Sequence, residues 1–251
     1  MSEAMEAEFD TVAEWTATVA AALGPQYYVP AGCRGSGSPA ALDWLIENLR
    51  LRPGDELLDS GAGVGGPAAY AAQERSVRPV LVEPETGACR AARRLFDHPV
   101  LCGSGSALPF GDATFDAAWS LGVLCTMTDQ LALLTEQRRT VRPGGRIGLL
   151  AFVAHRAIPA DVLPDNHFPT PQRLAGLIRD AGLRVEEQMT TADLPPIPDE
   201  WSERADTVEE ALAKRYGHTE AWQLAEQQSG EIGKLLGDGT LTGELLILRG
   251  A

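Results

Sequence analysis

The segment Leu57-Leu58-Asp59-Ser60-Gly61-Ala62-Gly63-Val64-Gly65-Gly66-Pro67-Ala68-Ala69 constrains the fold more than any other stretch of this chain. Its apolar start is too short for a helix and ends in turn residues, so it reads as a buried strand. Glycines follow, and they let the backbone take positive φ and let a ligand lie directly on the main chain. The alanine-rich run beyond them reads as a helix, whose first amides form an electropositive ledge beside the loop. A strand, a tight glycine loop and a helix together open a wound α/β sheet with its ligand at the strand's carboxyl end. Asp59 stands at the mouth of this apolar strand, where a carboxylate costs free energy unless paired or hydrogen-bonded.

Spacing alone leaves two ligands open. Gly61, Gly63 and Gly66 satisfy G-x-G-x-x-G, a pattern also found at dinucleotide sites. Glu83, ending the apolar run Val80-Leu81-Val82, suits a ribose diol in either case. A pyrophosphate would meet Asp59 as a like charge, whereas the sulfonium and ammonium of S-adenosyl-L-methionine would not. Asp59 therefore favours the methyl donor.

From Asp55 onward apolar runs and helical patterns alternate. Strands are expected near 56–60, 78–83, 99–102, 115–121 and 145–153, with helices near 66–74, 85–95 and 129–141. Such alternation implies an α/β fold with a parallel sheet covered on both faces. All the signature segments fall at strand ends, which places them at one site.

Leu57 to Ala69 resembles the first signature of class I S-adenosylmethionine-dependent methyltransferases, and three further segments match in order. Val80 to Pro84 resembles the second-strand acid, Leu108-Pro109-Phe110 to Phe115-Asp116 the segment before the fourth strand, and Arg142 to Leu150 the turn into the fifth. The style is that of the small-molecule branch that includes the ubiquinone/menaquinone methyltransferases. This resemblance implies a Rossmann-like, doubly wound, mostly parallel seven-stranded sheet with an antiparallel last strand. It implies S-adenosyl-L-methionine as cofactor and methyl transfer; the expected acceptor is a small, largely apolar molecule, uncharged or cationic, with oxygen slightly favoured over nitrogen or carbon on the strength of a candidate base. A non-methylating rearrangement or cyclisation on the same donor is the alternative, and a nicotinamide-dependent oxidoreductase stands behind it. By motif position, Asp59, Gly61 and Gly63 hold the methionine moiety and Glu83 the ribose hydroxyls. Ser104 falls where this branch commonly carries an acid for the adenine amino group. Its hydroxyl can still accept a hydrogen bond, and the Gly105 amide can read a ring nitrogen. Ser120 and Leu121 are expected to offer main-chain oxygens to the donor's ammonium.

Outside that core, Glu3 to Leu23 has apolar residues at helical spacing and Gly24-Pro25 to stop it. Gln26 to Ser38 reads as a loop. Pro39 to Leu49 should be a helix with Ser38 as N-cap. After Val153 the rhythm breaks: Ala154 to Pro171 should be a loop over the site, Thr170 to Ala181 a helix, and Leu183 to Thr191 and Leu245 to Arg249 strands. Asp199 to Leu236 has a helical pattern interrupted near Gly217. The chain therefore divides into an N-terminal helix and lid loop (1–38), the methyltransferase core (39–192 and 241–251) and a helical cap insert (193–240). Trp201, Val208, Leu212, Trp222, Leu235 and Leu236 give that insert an apolar face, expected to bury against the sheet's edge or against a second subunit in a homodimer.

On the acceptor side, His167 is the first candidate base and His155 the second, because the loop after the fifth strand should reach the strand ends. Tyr27 and Tyr28 are expected to line the pocket from the N-terminal loop, Tyr28 as a third catalytic candidate, and Cys125 from the segment after the fourth strand. His98 and His218 should face solvent. With a net charge of −14 among 251 residues, the chain lacks the basic footprint that nucleic acid or an anionic membrane surface requires. The trio Arg90, Arg93 and Arg94 should be a solvated helix face. Four single cysteines form neither a disulfide framework nor a zinc site, Cys89 and Cys102 are expected in the core, and no metal is expected. No apolar run approaches the ~18 residues of a membrane span, and the acidic N-terminus lacks the features of a signal peptide, so the expected location is cytoplasmic.

Overall fold

A computed structural model describes residues 7–251, with side chains from Phe9 onward. The sheet grows outward in both directions from β1 (Glu56–Ser60). On one side lie β2 (Arg78–Glu83) and β3 (Val100–Cys102); on the other lie β4 (Phe115–Leu121) and β5 (Val141–Ala154). All of these neighbours pair in parallel. β7 (Leu241–Gly250) then inserts antiparallel between β5 and the edge strand β6 (Leu183–Thr190), completing the order β3-β2-β1-β4-β5-β7-β6. The chain reverses its winding between β1 and β4, and a crevice opens at the carboxyl ends of such strands.

Alternation along each strand feeds two cores. Leu58, Ala118 and Leu149 face α6 (Gln130–Thr140) and α7 (Pro171–Asp180) through Leu133, Leu134 and Leu177. Leu57, Trp119 and Leu150 face α3 (Pro39–Leu49) through Leu42, Leu45 and Ile46. The Ser38 hydroxyl accepts from the Ala41 amide at 3.3 Å, so the expected N-cap is in place. α4 (Gly66–Arg75) and α5 (Thr86–Leu95) cover the β1–β3 half. Helix α6 begins at Asp129, whose carboxylate accepts from the Ala132 amide. Asp116 is structural: it accepts from the Glu56 amide and pairs with Arg142, tying β4 to β1.

Boundaries differ from the sequence reading at β5, within Gln26 to Ser38, and at β7, which starts at Leu241 rather than Leu245. β5 starts at Val141, four residues early, because the Arg142–Gly145 turn is absorbed as a bulge: β4 advances from Phe115 to Ala117 while its partner advances from Val141 to Arg146. Gln26 to Ser38 is not all loop, since a 3₁₀ turn (Pro25–Tyr27) leads into α2 (Tyr28–Gly32). Pro30 lies within this short helix, and only residues 33–38 stay irregular. Among the described residues the N-terminal helix runs as a π-helix over Ala7–Val12 and as α1 over Ala13–Leu23; its expected start at Glu3 lies outside them.

A third apolar cluster lies on top of this sandwich. α1 packs on α5, and the insert supplies α8 (Asp199–Tyr216) and α9 (Glu220–Gly237). Val208, Leu212, Trp222 and Ala225 bury against Val12, Ala17 and Ala20 of the N-terminal segment, and Trp15 stacks on Tyr216 at 4.1 Å. Much of the insert's apolar face is thus covered by the chain's own first helix, while Trp201 packs beside the core that contains Leu57 and Trp119. Leu236, at the end of α9, remains exposed. The Arg90–Arg94 face does more than meet solvent: Arg90 pairs with Glu14 and Arg94 donates to the Thr18 hydroxyl, clamping α1 onto α5. Among the described residues no helix is long and apolar enough to cross a membrane.

Candidate active site

The glycine loop after β1 is shaped by its neighbours. Gly61 has φ +81°, and a Cβ there would lie 2.3 Å from Val123 Cγ2, so both conformation and space demand glycine. Gly66 is required for a different reason. A Cβ on it would stand 2.2 Å from the carbonyl carbon of Gly32, where α2 crosses the start of α4. The third glycine of the pattern therefore serves helix packing. The Gly63 amide donates to Glu83 Oε2 at 2.8 Å and the Glu85 amide to Oε1 at 3.0 Å, fixing the carboxylate at the end of β2.

Glu83 is 6% exposed, and burial pushes its carboxyl up to about 7 against the pull of those two amides. Asp59 lies deeper. It is 1% exposed and sits below the cavity wall, with one carboxylate oxygen lacking any hydrogen bond. Burial raises it to about 7 as well, with the Glu83 charge adding to the effect. The Trp119 indole draws the value down while making no hydrogen bond of good geometry.

A cavity of about 330 Å³ opens over these strand ends. Gly61, Gly63, Glu83, Ser104, Gly105 and Leu121 line its lower half. Ser120 does not reach it, because the residue is buried in β4 with its hydroxyl donating to the Ser60 carbonyl at 2.9 Å. Ser104 bonds to the Ser106 hydroxyl at 2.8 Å and accepts from the Ser106 amide, so its oxygen is held within its own turn. The upper half comes from elsewhere: Phe9, Val12 and Thr16 of the N-terminal segment, Phe152 of β5, and Gln228 and Ile232 of α9. Cys125 lines the side wall, its thiol donating to the Gly122 carbonyl and pushed up to about 12 by burial, which keeps it a thiol.

The expected bases fall outside this cavity. His167 is exposed, and its main chain rather than its imidazole makes the contacts: its amide donates to the Cys125 carbonyl at 2.6 Å, and its carbonyl accepts from Gln130. Its neighbour Asn166 is the loop residue that lines the cavity. His155 is exposed at the far end of β5, with Nε2 at 2.9 Å from the Thr242 hydroxyl. Tyr27 and Tyr28 pack into the cluster beneath α1, Tyr28 edge-on to Phe96, instead of facing the cavity. Cys33 is buried against a smaller neighbouring cavity, and Cys102 is exposed at the end of β3 while Cys89 is buried. His98 is half-buried and stacks on Phe96, which lowers its pKa through burial rather than leaving it in solvent. Among the described residues no group of three or more His, Cys, Asp or Glu side chains is placed to hold a metal ion.

A family model described as a methyltransferase domain matches residues 58–149, from β1 through the bulge into β5. Residues 58–149 thus carry a methyltransferase domain. Outside the domain, similarity thins. An O-methyltransferase of Pyrenophora dematioidea is 28% identical over 158 residues, covering 57% of this chain and 59% of that protein. A demethylmenaquinone methyltransferase of Corynebacterium urealyticum is 36% identical over 104 residues, covering 41% and 44%. The matched stretches thus span about half the length of these curated relatives. Among solved structures, the 4+2 cyclase SpnF superposes with a TM-score of 0.65 at 22% identity, covering 83% of this chain and 79% of that one. That likeness establishes the fold of the methyltransferase domain and the elements around it.

Sequence reasoning missed Phe9, Phe152, Asn166, Gln228 and Ile232. Phe9 and Ile232 carry the signal of any amphipathic helix, which says that a face is covered but not by what.

Proposed function

We propose that this protein transfers the methyl group of S-adenosylmethionine to an oxygen of a small, largely apolar molecule. The observation that carries the reading is the single cavity that joins the glycine loop and the Glu83 carboxylate to an apolar roof. The donor fits the lower half by its chemistry. Each Glu83 oxygen already takes one backbone amide and keeps acceptor capacity for a diol. The positive-φ loop at Gly61 and Gly63 leaves the main chain bare toward the cavity. Bound there, the donor supplies an electrophilic methyl carbon on a sulfonium. This chain's own residues hold and orient: Glu83 fixes the sugar, the loop fixes the amino-acid end, and Phe9, Phe152 and Ile232 exclude water from the upper half. Asp59 acts from beneath, setting the potential under the loop rather than touching the ligand. With no histidine among the described lining residues, alignment is the main contribution to rate, and acceptors that ionise readily, such as phenols, are the ones served. The resemblance to an O-methyltransferase over 158 residues supports oxygen as the acceptor atom.

The test is incubation with methyl-labelled S-adenosylmethionine and a library of phenols and hydroxylated apolar compounds, following label transfer and S-adenosylhomocysteine release. Labelled ether products support the reading. Donor binding with substrate conversion but no S-adenosylhomocysteine would replace methyl transfer with a rearrangement or cyclisation on the same fold, the structural neighbour SpnF being a 4+2 cyclase.

A further inference from the structure

The roof of the cavity holds a buried polar side chain with no role inside the fold. Gln228 on α9 is 7% exposed and lines the cavity. Among the described residues its amide makes no hydrogen bond, and its polar atoms are not sealed off but open to the cavity. An amide so largely buried is nearly always paired with protein, water or ligand. Its neighbours in the roof, Phe9, Val12 and Ile232, offer neither donor nor acceptor side chains. Thr16, across from α9, has already turned its hydroxyl back to the Val12 carbonyl at 2.8 Å. The amide is therefore available only to something that enters the cavity.

Charge around the roof narrows what that is. The carboxylates on the wall, Glu83 and Glu85, belong to the strand-end half. Arg34, the cation on the wall among the described residues, is held through Nη2 by Glu209 at 3.5 Å and Glu226 at 3.2 Å and lies over the Trp222 ring, while its Nη1 is buried without a partner. An anion arriving at the roof would meet a guanidinium that two carboxylates already neutralise, and a cation would lose its hydration to apolar side chains. A neutral oxygen suffers neither penalty, and a primary amide can donate to it and accept from it.

We propose that Gln228 is the specificity-determining residue for the acceptor, and that the acceptor is an apolar molecule carrying an uncharged hydroxyl or carbonyl oxygen that this amide receives. The inference rests on the cavity being the acceptor site of the reading above.

Fluorescence titration of the S-adenosylhomocysteine-loaded protein with four probes tests it: 2-naphthol, naphthalene, 2-naphthoate and 2-naphthylmethylammonium. In the wild type 2-naphthol should bind about tenfold more tightly than the other three, the size of one hydrogen bond gained by a desolvated amide. Gln228→Met, unbranched and close in length, should bring 2-naphthol down to the naphthalene level and leave S-adenosylhomocysteine affinity unchanged. Gln228→Leu is measured beside it, and whichever variant still binds S-adenosylhomocysteine decides the outcome. A retained preference for 2-naphthol in such a variant overturns the proposal. So do tighter wild-type binding of either charged probe and failure of all four probes to bind. Loss of S-adenosylhomocysteine binding in both variants also overturns it, by making Gln228 a folding residue. Failure of the wild type to bind S-adenosylhomocysteine at all would instead sink the donor assignment itself.

Discussion

Asp59 and Glu83 end adjacent strands under one loop, and both carboxyls titrate near neutrality because burial outweighs the contacts that would keep them charged. For Asp59 the sign is fixed by linkage. An unfolded aspartate loses its proton near 3.9, while the folded one holds it to about 7. Between those values the folded state binds more protons, so this group's contribution to stability falls as pH rises through that window. Asp59→Asn should therefore raise the melting temperature relative to wild type more at pH 8 than at pH 5. An equal difference at both values would mean that the carboxyl is not held protonated. For Glu83, donor hydroxyls prefer the carboxylate, so calorimetry should find S-adenosylmethionine affinity rising from pH 6 to pH 8 and levelling above. Glu83→Gln should flatten that profile and weaken binding by about 1–3 kcal/mol, the range for losing a buried charged hydrogen-bonding partner. His167, whose imidazole makes none of the loop's contacts, should be replaceable by alanine with turnover within about twofold. A loss of ~10²-fold or more, the range of a working base, would return it to the site.

At the scale of elements, what the chain disclosed followed from locality. β1, β2 and β4 were legible to the residue because each is a short apolar run bounded by turns, and the loop glycines sit between two of the plainest signals in the chain. β5 was misplaced at its start because Pro143-Gly144-Gly145 reads locally as a turn, while the sheet absorbs it as a bulge. Tyr27 and Tyr28 looked like lid residues among glycines and prolines, yet α2 turns them into the cluster under α1. The lower half of the cavity was legible because motif residues come in one contiguous stretch. The upper half was not, because periodicity shows that α1 and α9 each have an apolar face and cannot say that they meet. The packing can be probed at Leu212, which is 1% exposed between α8 and α1. Leu212→Ala should cost about 2–5 kcal/mol in chemical denaturation and should loosen the roof before the sheet. Hydrogen exchange that accelerates in β1 and β4 as much as in α9 would contradict that order.

For the whole molecule, a donor that binds only the folded chain adds stability by mass action. At a hundredfold excess over Kd that is about 2.7 kcal/mol, or roughly 5–10 °C in melting temperature for a chain of this size. Thermal melts with and without S-adenosylmethionine test this directly, and an unchanged midpoint at saturation would count against the donor site. The cavity's two halves have different histories along the chain. The lower half is drawn from residues 61–121, and the roof from residues 9–16, Phe152 and residues 228–232, far apart along the sequence. During synthesis, which delivers roughly 5–20 residues per second, the glycine loop and its carboxylate are outside the ribosome well before α9 exists. For those seconds Val12, Ala17 and Ala20, buried in the finished protein, have no cap to lie against. The nascent chain thus carries an apolar stripe on α1 until α8 and α9 emerge. A holdase should dwell there, and pausing near Gly217 should make the unfinished chain prone to self-association.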